Sequence, residues 1–125
     1  MLTGIIKTLP YARSGFLAMK RDEETAESKL FYENIPNIED KTVLLLDPMI
    51  ATGGSLIDGI DYLKSKGAKR IISLNVLGAP ERIKKVQDAH PDVDIFIAQI
   101  DERLDENNYI RPGLGDAGDR AFNTN

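Results

Sequence analysis

Residues 42–100 limit the possible folds more than any other stretch. "TVLLLD" (42–47) is apolar at every position from 43 to 46. An unbroken apolar run of this length suits a strand buried on both faces of a parallel sheet better than a half-exposed one, which would alternate. Parallel neighbours need a long crossover between them, and "SLIDGIDYLKSKG" (55–67) can supply it. Leu56, Ile57, Ile60 and Leu63 share one helical face, while Asp58, Asp61, Lys64 and Lys66 lie on others, and Gly67 suits the position just past the helix. "RIISLNVLGA" (70–79) reads as a second strand. Pro80 then opens a helix carrying Ile83, Val86 and Ala89, which Pro91 stops, and "DVDIFIAQI" (92–100) is a third strand. Strand and helix in alternation predict an α/β fold with a largely parallel sheet and right-handed crossovers.

The flanks are different in kind. "SGFLAMKR" (14–21) and "KLFYENI" (29–35) are strand-like runs separated by a charged stretch, the pattern of a hairpin over 14–35. At the start, Leu2, Ile5, Ile6 and Leu9 fall at helical spacing before Pro10, with no capping residue ahead of them, so the stretch reads as the end of a helix. Residues 101–125 have little periodicity and many turn formers.

Composition removes several classes. The 125 residues hold 16 basic and 20 acidic side chains, net −4, with no long basic run, which speaks against a nucleic-acid partner. No cysteine is present, so thiolate ligands, thiol nucleophiles and disulfides are excluded. No apolar stretch approaches the roughly 18 to 20 residues needed to span a bilayer, and no secretory signal pattern opens the chain. No membrane partner is expected, and the expected location is cytoplasmic.

Two segments suggest chemistry. In open α/β sheets ligands collect beyond the carboxyl ends of the strands. Asp47 and the loop "DPMIATGGS" (47–55) are expected there. Thr52, Gly53, Gly54 and Ser55 would offer backbone N–H groups and two hydroxyls at a helix start whose dipole favours an anion. The alternative is an ordinary strand-to-helix turn with a Ser or Thr N-cap. The P-loop spacing and its Lys are absent. "GLGDAG" (113–118) matches G-x-G-x-x-G literally, but only seven residues follow Gly118, leaving no room for the βαβ unit that dinucleotide binding needs. What remains is bare backbone beside Asp116 and Asp119, able to pair with the edge of a small planar molecule, or simply a tail with aspartates in turns. His90, the single histidine, lies near a helix end, where a structural role is expected. With no other His or Cys, a metal site would need oxygen ligands, which points to Mg2+.

Taken together, these segments resemble uracil phosphoribosyltransferase. "DPMIATGGS" is similar to that family's ribose-phosphate motif, "EETAESKLFYENIP" to its hairpin, "AHPDVDIFIAQID" to its last sheet strand and "YIRPGLGDAGDRAF" to its uracil-binding segment. The resemblance implies a phosphoribosyltransferase (Rossmann-like) domain over 1–125, with a protruding hairpin arm over 14–35 and a uracil-binding segment over 101–125. It implies the reaction of uracil with 5-phospho-α-D-ribose 1-diphosphate to give UMP and diphosphate, in pyrimidine salvage. Asp47 would bond the ribose hydroxyls and Ala51 to Ser55 would hold the 5′-phosphate. Pro48, Met49 and Ile50 belong to the same diphosphate-substrate motif. Pro48 stands where many other phosphoribosyltransferases carry a second acid, a departure typical of the uracil branch. Arg21 matches a family arginine that contacts the diphosphate. Ile110, Gly115, Asp116 and Ala117 match the uracil positions, with Asp116 also on the phosphoribosyl side. Mg2+ carried by the diphosphate, a homo-oligomer and GTP as an activator are further implications. No covalent or acid–base catalytic residue is assigned.

The same resemblance carries one departure. Family members begin with a substantial N-terminal portion, including a diphosphate-binding segment just ahead of the position of Met1. The expectation is therefore an N-terminally truncated chain with an incomplete site. A non-catalytic nucleotide or sugar-phosphate binding module, or a pseudoenzyme of the same fold, is the competing reading.

Overall fold

A computed structural model describes residues 1–21, 28–50, 52–107, 109–113 and 115–124, without the side chains at 20, 21, 28 and 29. The expected parallel unit is present. β1 (Phe16–Arg21) and β2 (Ser28–Asn34) form an antiparallel pair, and α1 (Leu2–Thr8) precedes them. β3 (Thr42–Ile50), β4 (Arg70–Gly78) and β5 (Asp94–Ile100) make a parallel sheet in the order β3-β4-β5. α2 (Gly54–Ser65) and α3 (Pro80–Ala89) are the crossovers. β6 (Arg103–Leu104), β7 (Ile110–Arg111) and α4 (Ala117–Phe122) complete the chain.

Two right-handed crossovers running in one direction along a sheet place both helices on the same face. The core lies there. Ile50, Leu56, Ile60, Leu63, Ile71, Ile83 and Val86 are buried, with Val43, Leu45, Ile95 and Ile97 packed against them. Each such side chain contributes about 1.5–3 kcal/mol when fully buried. This one-sidedness corrects the sequence expectation for 43–46. Val43 to Leu46 are half-buried, not enclosed, and Val76, Phe96 and Ile100 are exposed. Ala89 is also exposed, so the inward face of α3 consists of Ile83 and Val86.

β3 continues past Asp47 to Ile50, further than the sequence suggests. A proline inside a strand is tolerated at a sheet edge, and β3 is the edge strand of its sheet. The register passes from Asp47 opposite Asn75 to Met49 opposite Leu77, stepping over Pro48. α3 starts with Pro80 in its first turn, where a missing N–H costs nothing. Gly67 adopts φ +84°, the left-handed form expected just after α2.

The hairpin has a register shift between Ala18 and Met19 and a Phe16–Tyr32 ring contact at 5.6 Å. Its base joins α2 through Lys66 and Glu33, 3.4 Å apart. α1 has no buried residue and no side-chain cap. Among the described residues, no helix is long and apolar enough to cross a membrane.

Candidate functional site

Two segments leave the sheet at the same level. Ile50, Gly78 and Ile100 are register partners across β3, β4 and β5, at the carboxyl ends of the strands. The chain after Ile50 becomes the glycine loop. The chain after Ile100 becomes the C-terminal segment, tied back by the Asp101 N–H to the Gly78 carbonyl at 3.0 Å. The described residues that follow, from Thr52 on one side and from Asp101 on the other, therefore start from one edge of the sheet.

Within the first segment, Asp47 is partly buried near the end of β3. Met49 N–H donates to its Oδ1 at 3.2 Å. Burial pushes the Asp47 carboxyl above its ordinary value, and the Met49 N–H offsets part of that rise. Pro48 is exposed and Met49 half-buried. The Ile50 side chain is 1% exposed and belongs to the core, so only its backbone can face a ligand. Ala51 lies outside the described residues.

Gly53, not a Ser or Thr, is the N-cap of α2, correcting the turn reading. Its φ of +73° is left-handed, and a Cβ there would lie 3.3 Å from both the Arg82 carbonyl and Val86 Cγ2 on α3. The glycine is thus required by backbone form and by helix packing together. Thr52, Gly54 and Ser55 are half-buried around the start of α2. The twelve-residue α2 begins at this turn, so its positive dipole end lies beside Thr52 and Gly53.

The second segment is organised by Asp105, which the sequence reading passed over. Its Oδ1 accepts the N–H groups of Asn107 and Tyr109 at 2.9 Å each, and its Oδ2 accepts Arg111 Nε at 2.7 Å. The Tyr109 N–H is the largest of the effects that hold the Asp105 carboxyl below its usual value, with the Arg111 guanidinium adding to it. Arg111 thereby gains a definite partner. The signal was available as Asp-Glu-Asn, an acid two residues before an amide-rich turn, which favours a side-chain-closed turn. β6 and β7 pair through Leu104 opposite Ile110, and Ile110 is only 2% exposed.

Gly115 has φ +76°. Asp116 is exposed and caps α4, accepting the Asp119 N–H at 2.9 Å. Ala117 begins that six-residue helix. "GLGDAG" therefore opens a helix too short for the dinucleotide unit already rejected. Arg21 ends β1, and its side chain is outside the description.

His90 belongs to the opposite edge, after the C-terminus of α3. It is buried, with Nδ1 3.1 Å from Lys64 Nζ and Nε2 3.5 Å from Asp61 Oδ1. Lys64 also donates to Asp92 at 2.7 Å. This cluster ties α2 to the end of α3, the structural role expected of the histidine. Among the described residues, no group of three or more His, Asp or Glu stands close enough to hold a metal ion.

A parallel β3-β4-β5 sheet with helical crossovers and a glycine turn after its edge strand is the fold of type I phosphoribosyltransferases. The hypoxanthine phosphoribosyltransferase of Staphylococcus aureus superposes with a TM-score of 0.59 at 19% identity, over 94% of this chain and 70% of that one, a likeness of fold. A solved protein of Aquifex aeolicus superposes with a TM-score of 0.92 at 40% identity, over 98% of this chain and 59% of its own. The family model for uracil phosphoribosyltransferase matches residues 1–124. The uracil phosphoribosyltransferase of Wolinella succinogenes is 57% identical over 125 residues, 99% of this chain and 60% of the relative. The chain belongs to the uracil phosphoribosyltransferase family. It spans about 60% of the length of the curated relatives it matches.

Proposed function

We propose that the chain provides the sugar-phosphate and uracil sites of a uracil phosphoribosyltransferase, which makes UMP and diphosphate from uracil and 5-phospho-α-D-ribose 1-diphosphate. The observation that carries this reading is the shared sheet edge from which 50–55 and 101–117 depart, in a chain of this family. The positive dipole end of α2, reached through the glycines Gly53 and Gly54, suits the 5′-phosphate, and the Asp47 carboxylate suits the ribose hydroxyls. Around Gly115, Asp116 and Ala117, backbone groups suit the edge of uracil, with Ile110 as buried support. Arg21 suits the diphosphate by its place in the motif.

Displacing diphosphate from the anomeric carbon while a uracil nitrogen attacks the opposite face builds positive charge on the sugar. A site for such a step has to align the two reactants and place charge, and needs no covalent nucleophile. Asp47, ionised, would favour that charge and orient the ring. Mg2+ carried by the diphosphate as part of the substrate belongs to this reading. A homo-oligomer assembled through the exposed hairpin aromatics Phe16, Phe31 and Tyr32, GTP activation, a role in pyrimidine salvage and a cytoplasmic setting belong to the same reading.

Incubating the protein with uracil, the diphosphate substrate and Mg2+ should yield UMP. Binding of the diphosphate substrate without UMP would favour the non-catalytic module. A folded sample that shows no binding and no turnover would refute the proposal.

A further inference from the structure

β4 carries two polar side chains where its pattern calls for apolar ones. Ser73 is 0% exposed and Asn75 6%, on the helix-covered face shared with Ile71. Burying a hydroxyl and a primary amide is unfavourable unless both are hydrogen-bonded. Local inconsistencies of this kind in an otherwise regular strand concentrate at functional sites.

Their bonds run in one direction. Ser73 Oγ donates to Asn75 Oδ1 at 2.8 Å, which fixes the amide orientation. Asn75 Nδ2 then donates to the main-chain carbonyl of Asp47 at 2.7 Å. That carbonyl belongs to the peptide joining Asp47 to Pro48, the position over which the β3–β4 register steps. The Asp47 carboxylate itself receives the Met49 N–H at a long 3.2 Å, so its direction depends on how the backbone beneath it is held. The Ser73–Asn75 pair grips that backbone from inside the core.

We propose that Asn75, locked by Ser73, is a positioning residue for the sugar-phosphate site, fixing the Asp47–Pro48 peptide so that the Asp47 carboxylate meets the ribose hydroxyls. This rests on the function proposed above. A purely structural role makes a different forecast for binding. Replacing Ser73 and Asn75 by apolar groups of similar size takes the donor away from the Asp47 carbonyl and should lower stability, but a purely structural pair could be exchanged without effect on the ligand.

The test compares Ser73→Val/Asn75→Leu, Asp47→Asn and the triple variant with wild type, by thermal melting and by calorimetric titration with 5-phospho-α-D-ribose 1-diphosphate and Mg2+. The Ser73→Val/Asn75→Leu protein should melt somewhat lower than wild type, because the Asp47 carbonyl loses its donor, and should bind about fivefold to tenfold more weakly, the size of one hydrogen bond. In the Asp47→Asn background the same pair of changes should produce no further loss, because the pair acts through Asp47. If the double variant does not fold, Ser73→Ala, which frees the amide but leaves Asn75 in place, should weaken binding about two- to threefold by the same reasoning. Unchanged affinity in the double variant (or in Ser73→Ala where that replaces it), with Asp47→Asn still weakened, overturns this inference and leaves the proposed function standing. An equal loss in both backgrounds overturns it as well. A folded wild type that does not bind overturns the proposed function and this inference together.

Discussion

The two segments that leave the carboxyl edge of the sheet are held by opposite means. The glycine loop hangs between a core strand and a core helix. Ile50 on one side and Leu56 on the other are buried, and Gly53 is wedged against α3. The C-terminal segment has Ile110 as its one fully buried side chain among the described residues and is otherwise closed on itself by Asp105 and the Asp116 cap. On the loop side, the described residues Gly53 and Leu56 are anchored in the core. A segment fixed by local polar bonds opens more easily. The division suits a site in which one reactant docks on a rigid cradle and the other on a segment that can adjust.

The difference can be broken first from the loop side. Ile50→Ala removes a core side chain and should cost about 2–5 kcal/mol. Because the loop hangs from the same core, chemical denaturation should show one cooperative loss of fold and loop together. Gly53→Ala forces a Cβ into a left-handed residue, at about 1–2 kcal/mol, and presses on the Arg82 carbonyl and Val86. It should lower the melting temperature and the affinity for the sugar substrate in parallel.

Asp105→Ala sharpens the comparison from the other side. The amides of Asn107 and Tyr109 should exchange faster with deuterated water, while those of α2 keep their protection. Uracil use should fall more than binding of the sugar substrate. The Asp105 carboxyl is held below its ordinary value, so its contribution is present above the usual carboxylate range and is lost as pH falls through the lowered value. Acidification should therefore loosen this segment before the core.

The smallest stability effect has the reverse sign. Asp47 is raised by burial, so its ionisation costs stability as pH rises through that value. Asp47→Asn, which keeps an acceptor for the Met49 N–H, should melt at or slightly above the wild-type temperature at neutral pH. It should nevertheless bind 5-phospho-α-D-ribose 1-diphosphate more weakly. Thermal melting beside calorimetry separates the two.

Much of this was legible in the chain. The apolar run 43–46, the one-faced helix 55–67 and Pro80 identified the parallel unit, because hydrophobic period and proline position act locally. Crossover handedness is set globally, and with it the uncovered face of Leu44 and Leu46. A strand edge tolerates Pro48, so β3 continued where sequence suggested a stop. Residues 47–55 and 110–117 could be named as motifs, but that the chain leaves the sheet at one level, at Ile50 and Ile100, depends on strand register. The Asp105 turn signal and the two polar residues in the β4 run were visible as letters, but their partners, Arg111 and the Asp47 carbonyl, are set by the folded chain.

The most direct measurement is an NMR titration of the 15N-labelled protein, first with 5-phospho-α-D-ribose 1-diphosphate and Mg2+, then with uracil. The account predicts that the amides of Thr52 to Ser55 shift with the first ligand, and those of Ile110 and Gly115 to Ala117 with the second. Shifts confined to the opposite edge, around Lys64 and His90, or no shifts from a folded sample, would contradict a shared site at the carboxyl ends of β3 to β5.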